Sequence, residues 1–254
     1  MSQLRIRYPA LRYRGGKWRI APWVIANLPP HECYVEPFAG GASVLLRKPP
    51  AEFECLNDLE GDVVAFWRVL RERPHELIGQ ILTTPFSREE LARCQEPVNG
   101  NLAPPAADLE RARRLWARCY QGRGSSARKS GWRFQMTNQH MRSKFHVHHA
   151  RAAQRIHGLV DIAVRLTNVQ IESADDRENS KRLYSNEMSA ADHARLAGLL
   201  RGIQGMAVVS GAPGLYDRLL DGWRRIERAT VGEAHKARTE VLWLNPAAER
   251  ALTP

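Results

Sequence analysis

Apolar positions along this chain of 254 residues fall into short clustered runs and longer helical stripes. From residue 33 the order is Cys33, Tyr34 and Val35, a glycine turn at Ala39, Gly40 and Gly41, a helix-like run from Ala42 to Leu46, a proline pair, and then Phe53 to Leu56. Two short runs bounded by turn residues, with helical spacing between them, predict a βαβ unit of the kind that builds parallel sheets. Val63, Phe66, Trp67 and Leu70 then share one helical stripe that Pro74 stops, and a second stripe follows at Leu77, Ile78, Ile81 and Leu82. Ser87 stands three residues before Glu90, the spacing of a capping box, so a third helix starts there. QEPVNGNLAPPAADLE reads as a connecting loop, and GRGSSARKSGWRF has the Gly and Ser density of a turn or hairpin. After Asp161, Ile162, Val164, Leu166, Val169 and Ile171 lead into a strand. Ser189 with Asp192 caps a helix bearing Leu196, Leu199, Leu200 and Ile203; Gly205 ends it, MAVVSG is the next strand and TEVLWL the last.

This rhythm predicts an α/β domain over residues 1–59 and 161–254, interrupted by a helical insertion over 60–160. With 43% hydrophobic residues, the chain is long enough to bury a sizeable core. No apolar run approaches the ~18 residues of a membrane helix, and the Arg-rich start has no secretory signal; the expectation is a cytoplasmic, monomeric protein that uses no membrane. Cys33, Cys55, Cys94 and Cys119 form no CxxC pair and read as structural thiols.

Charge changes the picture of the insertion. From Arg111 to Val160 there are twelve Lys or Arg residues and no Asp or Glu, while the whole chain carries +11. A one-sign block of this length, interleaved with Trp132, Phe134 and Phe145, suits a polyanion, with nucleic acid the leading partner and an acidic protein or membrane surface the weaker ones. His140, His146, His148 and His149 lie in the same block without Cys or acidic co-ligands, so they read as polar surface rather than a metal site.

Three motifs carry candidate chemistry. VEPFAGGAS, Val35 to Ser43, places glycines where a strand gives way to a helical run, which lets a polar ligand approach the backbone. LND, Leu56 to Asp58, puts an acid at the end of the second strand, where such folds bind a ribose hydroxyl; a helix N-cap is the structural alternative for Asp58. YRGGK, Tyr13 to Lys17, joins an aromatic ring, a flexible Gly15-Gly16 pair and a cation, and could equally be a surface turn.

In this order the set Tyr13, Gly15, Gly16, Lys17, then Glu36, Pro37, Phe38, Ala39, Gly40, Gly41, then Asn57, Asp58 resembles the Dam-type adenine-specific DNA methyltransferases. The likeness continues through IESAD (Ile171 to Asp175), YSNEM, Asp192-His193, VVSG, Leu215 to Asp217 and LWLN. It implies a Rossmann-like methyltransferase sheet and S-adenosyl-L-methionine as cofactor. Tyr13 and Lys17 would lie at the cofactor, Gly40 and Gly41 would make room for it, Asp58 would bind its ribose and Asp175 would face its adenine. Ala42 replaces a glycine often present in that loop. The basic insertion corresponds to the family's target-recognition region for duplex DNA, and GRGSSARKSGWRF to its DNA-contacting hairpin. Arg123, Arg128, Lys129, Arg133 and Lys144 are then the candidate DNA contacts, no metal being needed.

The family's catalytic tetrapeptide, Asp or Asn followed by Pro-Pro and an aromatic residue, has no counterpart here. Pro-Pro occurs at Pro29-Pro30, Pro49-Pro50 and Pro104-Pro105, each in the wrong context, and Asn245-Pro246 runs into Ala247-Ala248. Only ADDRENSKRL, Ala174 to Leu183, fills the interval where motif and strand would lie. A parallel crossover needs ~10 to 12 residues and a strand ~5 more, so the sequence predicts that the fourth strand is missing and that no catalytic residue can be assigned.

Overall fold

The computed structural model describes residues 6–96, 104–123, 130–132, 155–156, 158–173, 188–231 and 237–252. Asp175, Arg128, Lys129, Arg133, Lys144, the histidine cluster and the YSNEM segment up to Glu187 lie outside these residues, as does the join at 174–187. The chain divides into two compact units, Met1–Trp18 with Cys33–Asn186 and Arg19–Glu32 with Glu187–Pro254.

Unit 1 holds the expected parallel sheet. Strand β1 (Cys33–Glu36) pairs with β2 (Phe53–Asp58), and β2 pairs with β3 (Val169–Ser173), both in parallel. The register sets Tyr34 beside Glu54 and Val169, and Glu36 beside Leu56 and Ile171. This face is the inner one: Glu54, Leu56, Val169 and Ile171 are buried. The opposite face presents Val35, 49% exposed, and Phe53, 62% exposed.

On the inner face lies α2 (Gly61–Glu72), α6 (residues 158–165) reaches Glu54 of β2 through Arg165, and α5 (Pro104–Gln121) packs on α2 with α3 (Pro74–Thr83) and α4 (Arg88–Cys94) against it. The predicted stripe on α2 is the buried one: Val63, Phe66, Trp67 and Leu70 are each 0–1% exposed, and burying each such side chain stabilises by about 1.5–3 kcal/mol. On α3, Leu77 and Ile81 are buried but Leu82 faces solvent. Ser87 caps α4, its hydroxyl accepting from the Glu90 N–H at 3.0 Å. Arg68 and Arg71 of α2 donate to the carbonyls of Ile171 and Val169, satisfying groups on the edge strand β3 that would otherwise invite another strand.

Two sequence expectations fail in this unit. The run Ala42 to Leu46 forms successive turns instead of a regular helix, because it starts at a positive φ (Ala42, 45°) and is stopped by Pro49-Pro50. Pro104 to Glu110 is not loop but the first part of the 18-residue helix α5; proline is tolerated in a first turn, where its missing N–H has no helical partner anyway.

Unit 2 contains α1 (Ala21–Ala26), α7 (Ala190–Gly202), β4 (Val208–Gly211), α8 (Leu215–Leu219), β5 (Arg224–Val231), β6 (Ala237–Leu244) and α9 (Pro246–Leu252). Its sheet is antiparallel in the order β4-β6-β5. β5, RRIERATV, carries charge at half of its positions and escapes sequence reading. The Ser189–Asp192 capping box on α7 is present as expected. Of that helix only Ala197 is buried, while Leu199 is 65% exposed. One buried cluster holds Ala197, Leu220, Val241 and Trp243, with Tyr216 and Trp223 against it, and Ile20, Ala21, Val24, Leu242, Leu244 and Ala248 are buried as well.

Candidate cofactor cradle and nucleic-acid interface

The N-terminal turn, the glycine loop after β1 and the end of β2 meet in unit 1. Asp58 at the tip of β2 accepts from the Gly40 N–H at 2.8 Å through one carboxylate oxygen and from the Glu60 N–H at 2.9 Å through the other. It is not a helix N-cap; Glu60 holds that position in α2 and makes no side-chain cap. Burial pushes the Asp58 carboxyl above its ordinary range, against the opposing effect of backbone N–H groups of Glu60, Gly40 and Leu59.

Gly40 is fixed from both sides, since its carbonyl accepts from the buried Trp67 indole N–H at 2.9 Å. Its φ of +46° is one that side chains rarely adopt, and an added Cβ would stand 3.1 Å from the Tyr13 ring. A Cβ on Gly16 would lie 2.9 Å from the Tyr13 carbonyl, which also accepts the Gly16 N–H at 3.0 Å. Tyr13, Gly15, Gly16, Gly40, Gly41 and Asp58 are thus brought together as the sequence predicts. Lys17 ends the same turn, half-buried; Phe38 is 55% exposed, and the Pro37 carbonyl accepts from Asn57 Nδ2 at 2.9 Å.

Glu36 does something its motif does not reveal. Its Oε1 accepts from the Leu45 N–H at 2.7 Å and from the Tyr34 hydroxyl at 2.9 Å, so it closes the glycine loop from beneath. Desolvation is the main cause that pushes its carboxyl up to about 7, with Leu45, Tyr34 and Lys48 acting in the other direction. A raised folded-state pKa contributes stability that is fully present below the unfolded value near 4.5 and is lost as pH rises through 7. Denaturant unfolding at pH 5 and pH 8 is therefore expected to show this loss in the wild type, by about 2 kcal/mol, and a much flatter profile in Glu36→Gln. An equal pH response in both proteins would refute the assignment.

Beside this loop lies a buried ionic cluster. Glu54 of β2 accepts from Lys48 Nζ at 2.6 Å and from both terminal nitrogens of Arg165 on α6 at 2.5 and 2.8 Å. Arg165 also donates to the Leu45 carbonyl, and Lys48 packs 4.5 Å from the centre of the Tyr34 ring.

The basic block is less uniform than its composition. Arg111 and Arg118 of α5 both pair with Asp62 of α2, at 2.9 and 2.5 Å. Arg113 pairs with Glu90 and Glu110, and Arg114 with Glu110. These four cations hold α5 to its neighbours and are neutralised by acids that precede the block in sequence. What remains for a polyanion starts at Arg123, which is exposed. Gly122 and Trp132 form an antiparallel bridge, so the two ends of the predicted hairpin do meet. Among the described residues no group of three His, Cys, Asp or Glu is placed to hold a metal, and no helix is long and apolar enough to cross a membrane.

A glycine loop beside an acid at the tip of the second strand of a parallel sheet is an arrangement in which α/β folds commonly take nucleotide-type ligands. Residues 13–155, more than half of the chain, match the family described as D12 class N6 adenine-specific DNA methyltransferase, and the chain belongs to that family. It is 30% identical over 98 residues to a DNA adenine methylase of Salmonella typhi, covering 34% of this chain and 35% of that protein. Against a DNA adenine methylase of Escherichia coli the identity is 31% over 98 residues with the same shares. The match thus spans about a third of the length of these relatives.

Proposed function

We propose that this chain transfers a methyl group from S-adenosyl-L-methionine to the exocyclic amine of adenine in duplex DNA. The observation that carries this reading is the convergence of Tyr13, Gly40 and Asp58 on one loop within the family-matched residues. Tyr13, Gly15, Gly16 and Lys17 would flank the cofactor, and Glu36, Pro37, Phe38, Gly40 and Gly41 would form the loop around it. Asp58 would take its ribose and Asp175 its adenine. The residues fit such a group: the Asp58 carboxylate meets the backbone N–H groups of Gly40, Glu60 and Leu59 and, with about four acceptor positions on its two oxygens, keeps capacity for a hydroxyl. The cofactor supplies an electrophilic methyl, and the target base must leave the duplex to reach it. In this reading residues 60–160 form the DNA-recognition region of a Rossmann-like domain made of 1–59 and 161–254. Arg123, Arg128, Lys129, Arg133 and Lys144 lie on phosphates, contacts that position the protein without reading sequence. The protein works as a cytoplasmic monomer.

One observation favours a second reading, a non-catalytic DNA- and cofactor-binding relative or an internally deleted product. The chain has no Asp/Asn-Pro-Pro-aromatic sequence, and the interval where it belongs is too short for crossover, strand and motif together. Incubating the full chain with methyl-labelled cofactor and unmethylated duplex DNA separates the two. Label appearing as N6-methyladenine supports the enzyme; binding of both ligands without label supports the second reading.

A further inference from the structure

The ends of the basic hairpin are held at a built junction. The Arg123 N–H donates to the Gly131 carbonyl at 2.8 Å, and Arg123 Nε donates to the Trp132 carbonyl at 3.1 Å. The crossing leaves no room for a side chain at Gly122, where a Cβ would stand 2.6 Å from the Arg118 carbonyl oxygen and would also collide with Ser130 Oγ. The Arg118 carbonyl belongs to the last turn of α5 and already accepts the Gly122 N–H, so it cannot move aside cheaply.

Helix α4 grips the returning end, residues 130–132. At its start, Phe86 and Arg88 flank the capping Ser87: the Phe86 ring lies 6.2 Å from the Trp132 ring, and the Arg88 guanidinium 5.5 Å from its centre. At its end, the C-cap Gln95 donates from Nε2 to the Ser130 carbonyl at 2.8 Å. Trp132 is only partly buried and lies apart from the cluster of large side chains that forms the core of unit 1. Its contacts serve the junction.

We propose that Trp132 is a positioning residue for DNA binding, holding the junction of residues 122–123 with 130–132 on α4 so that Arg123 is set to engage a phosphate of the DNA backbone. The proposal rests on the duplex-DNA reading given above. A cation on a loose junction must be ordered as it binds, whereas one on a fixed junction is pre-organised and releases its counterion on contact. The number of simultaneous phosphate contacts is read from the slope of log affinity against log salt, about 0.9 per contact.

The test is fluorescence anisotropy of the full chain with a labelled unmethylated duplex between roughly 50 and 200 mM salt. Trp132→Ala removes no charge, yet its slope is expected to shrink by about 0.9, the share of one phosphate contact, with a roughly tenfold loss of affinity at the low-salt end. Trp132→Phe, which keeps a ring between Phe86 and Arg88, is expected to restore most of both. Gly122→Ala, acting from the other side of the junction, should reproduce the lost slope, and it decides the matter if Trp132→Ala proves unstable. Wild-type slope in both Trp132→Ala and Gly122→Ala would overturn the positioning role alone. A wild-type protein without salt-dependent DNA binding would overturn the duplex-DNA reading itself and this role with it.

Discussion

Replacing Glu54 by glutamine is expected to lower the free energy of unfolding by about 3–5 kcal/mol, the cost of leaving buried charge without its partner. Lys48 and Arg165 have side chains 2% and 10% exposed, and both depend on this one carboxylate. An amide in its place turns one acceptor oxygen into a donor facing a guanidinium. Burial alone would raise the Glu54 carboxyl, but hydrogen bonds from Arg165 and Lys48 more than offset it and hold the group below its ordinary range. The sign follows: this contribution is present above the unfolded-state pKa and is lost as pH falls through the lower folded value. Denaturant titration of wild type and variant measures the effect, with a drop in Tm of roughly 6–20 °C. Replacing all three members by apolar residues of similar size should recover much of the loss, because unpaired charge causes it. A Glu54→Gln protein within about 1 kcal/mol of wild type would show that the cluster is solvated.

Asp58→Ala is expected to weaken S-adenosyl-L-methionine binding by about 10- to 100-fold, the range for losing a charged hydrogen-bonding partner. Two effects combine. The variant loses the acceptor proposed for the ribose, and it releases the N–H groups of Gly40 and Glu60 that fix the loop. Asp58→Asn keeps the shape and one carbonyl oxygen, so its loss should be smaller. Calorimetric affinities of the three proteins test the order wild type, Asn, Ala. An Ala variant that binds as well as wild type would remove Asp58 from the cradle.

Much of unit 1 was legible because its burial is periodic. The β1 and β2 runs, the Val63–Leu70 stripe, the Ser87 cap and the Val169–Ile171 strand are local signals, and each appears where its residues predict. That Tyr13 would stand beside Gly40 and Asp58 came from the family resemblance alone, because Tyr13 lies outside the β1-to-β2 unit. What escaped depends on partners distant in sequence. Nothing near Arg111 or Arg118 announces Asp62, so a charge count overstates the block's free cations. Nor does Glu36 announce Leu45 and Tyr34, or Gly40 the indole of Trp67. β5 escaped because half of its positions carry charge and the rest show no apolar period to detect.

The proposed cradle is common to the active and inactive readings, and equilibrium dialysis of the wild-type chain against labelled S-adenosyl-L-methionine tests it most directly. Saturation at one cofactor per chain is the predicted result. The absence of saturable binding by protein shown to be folded would contradict the account.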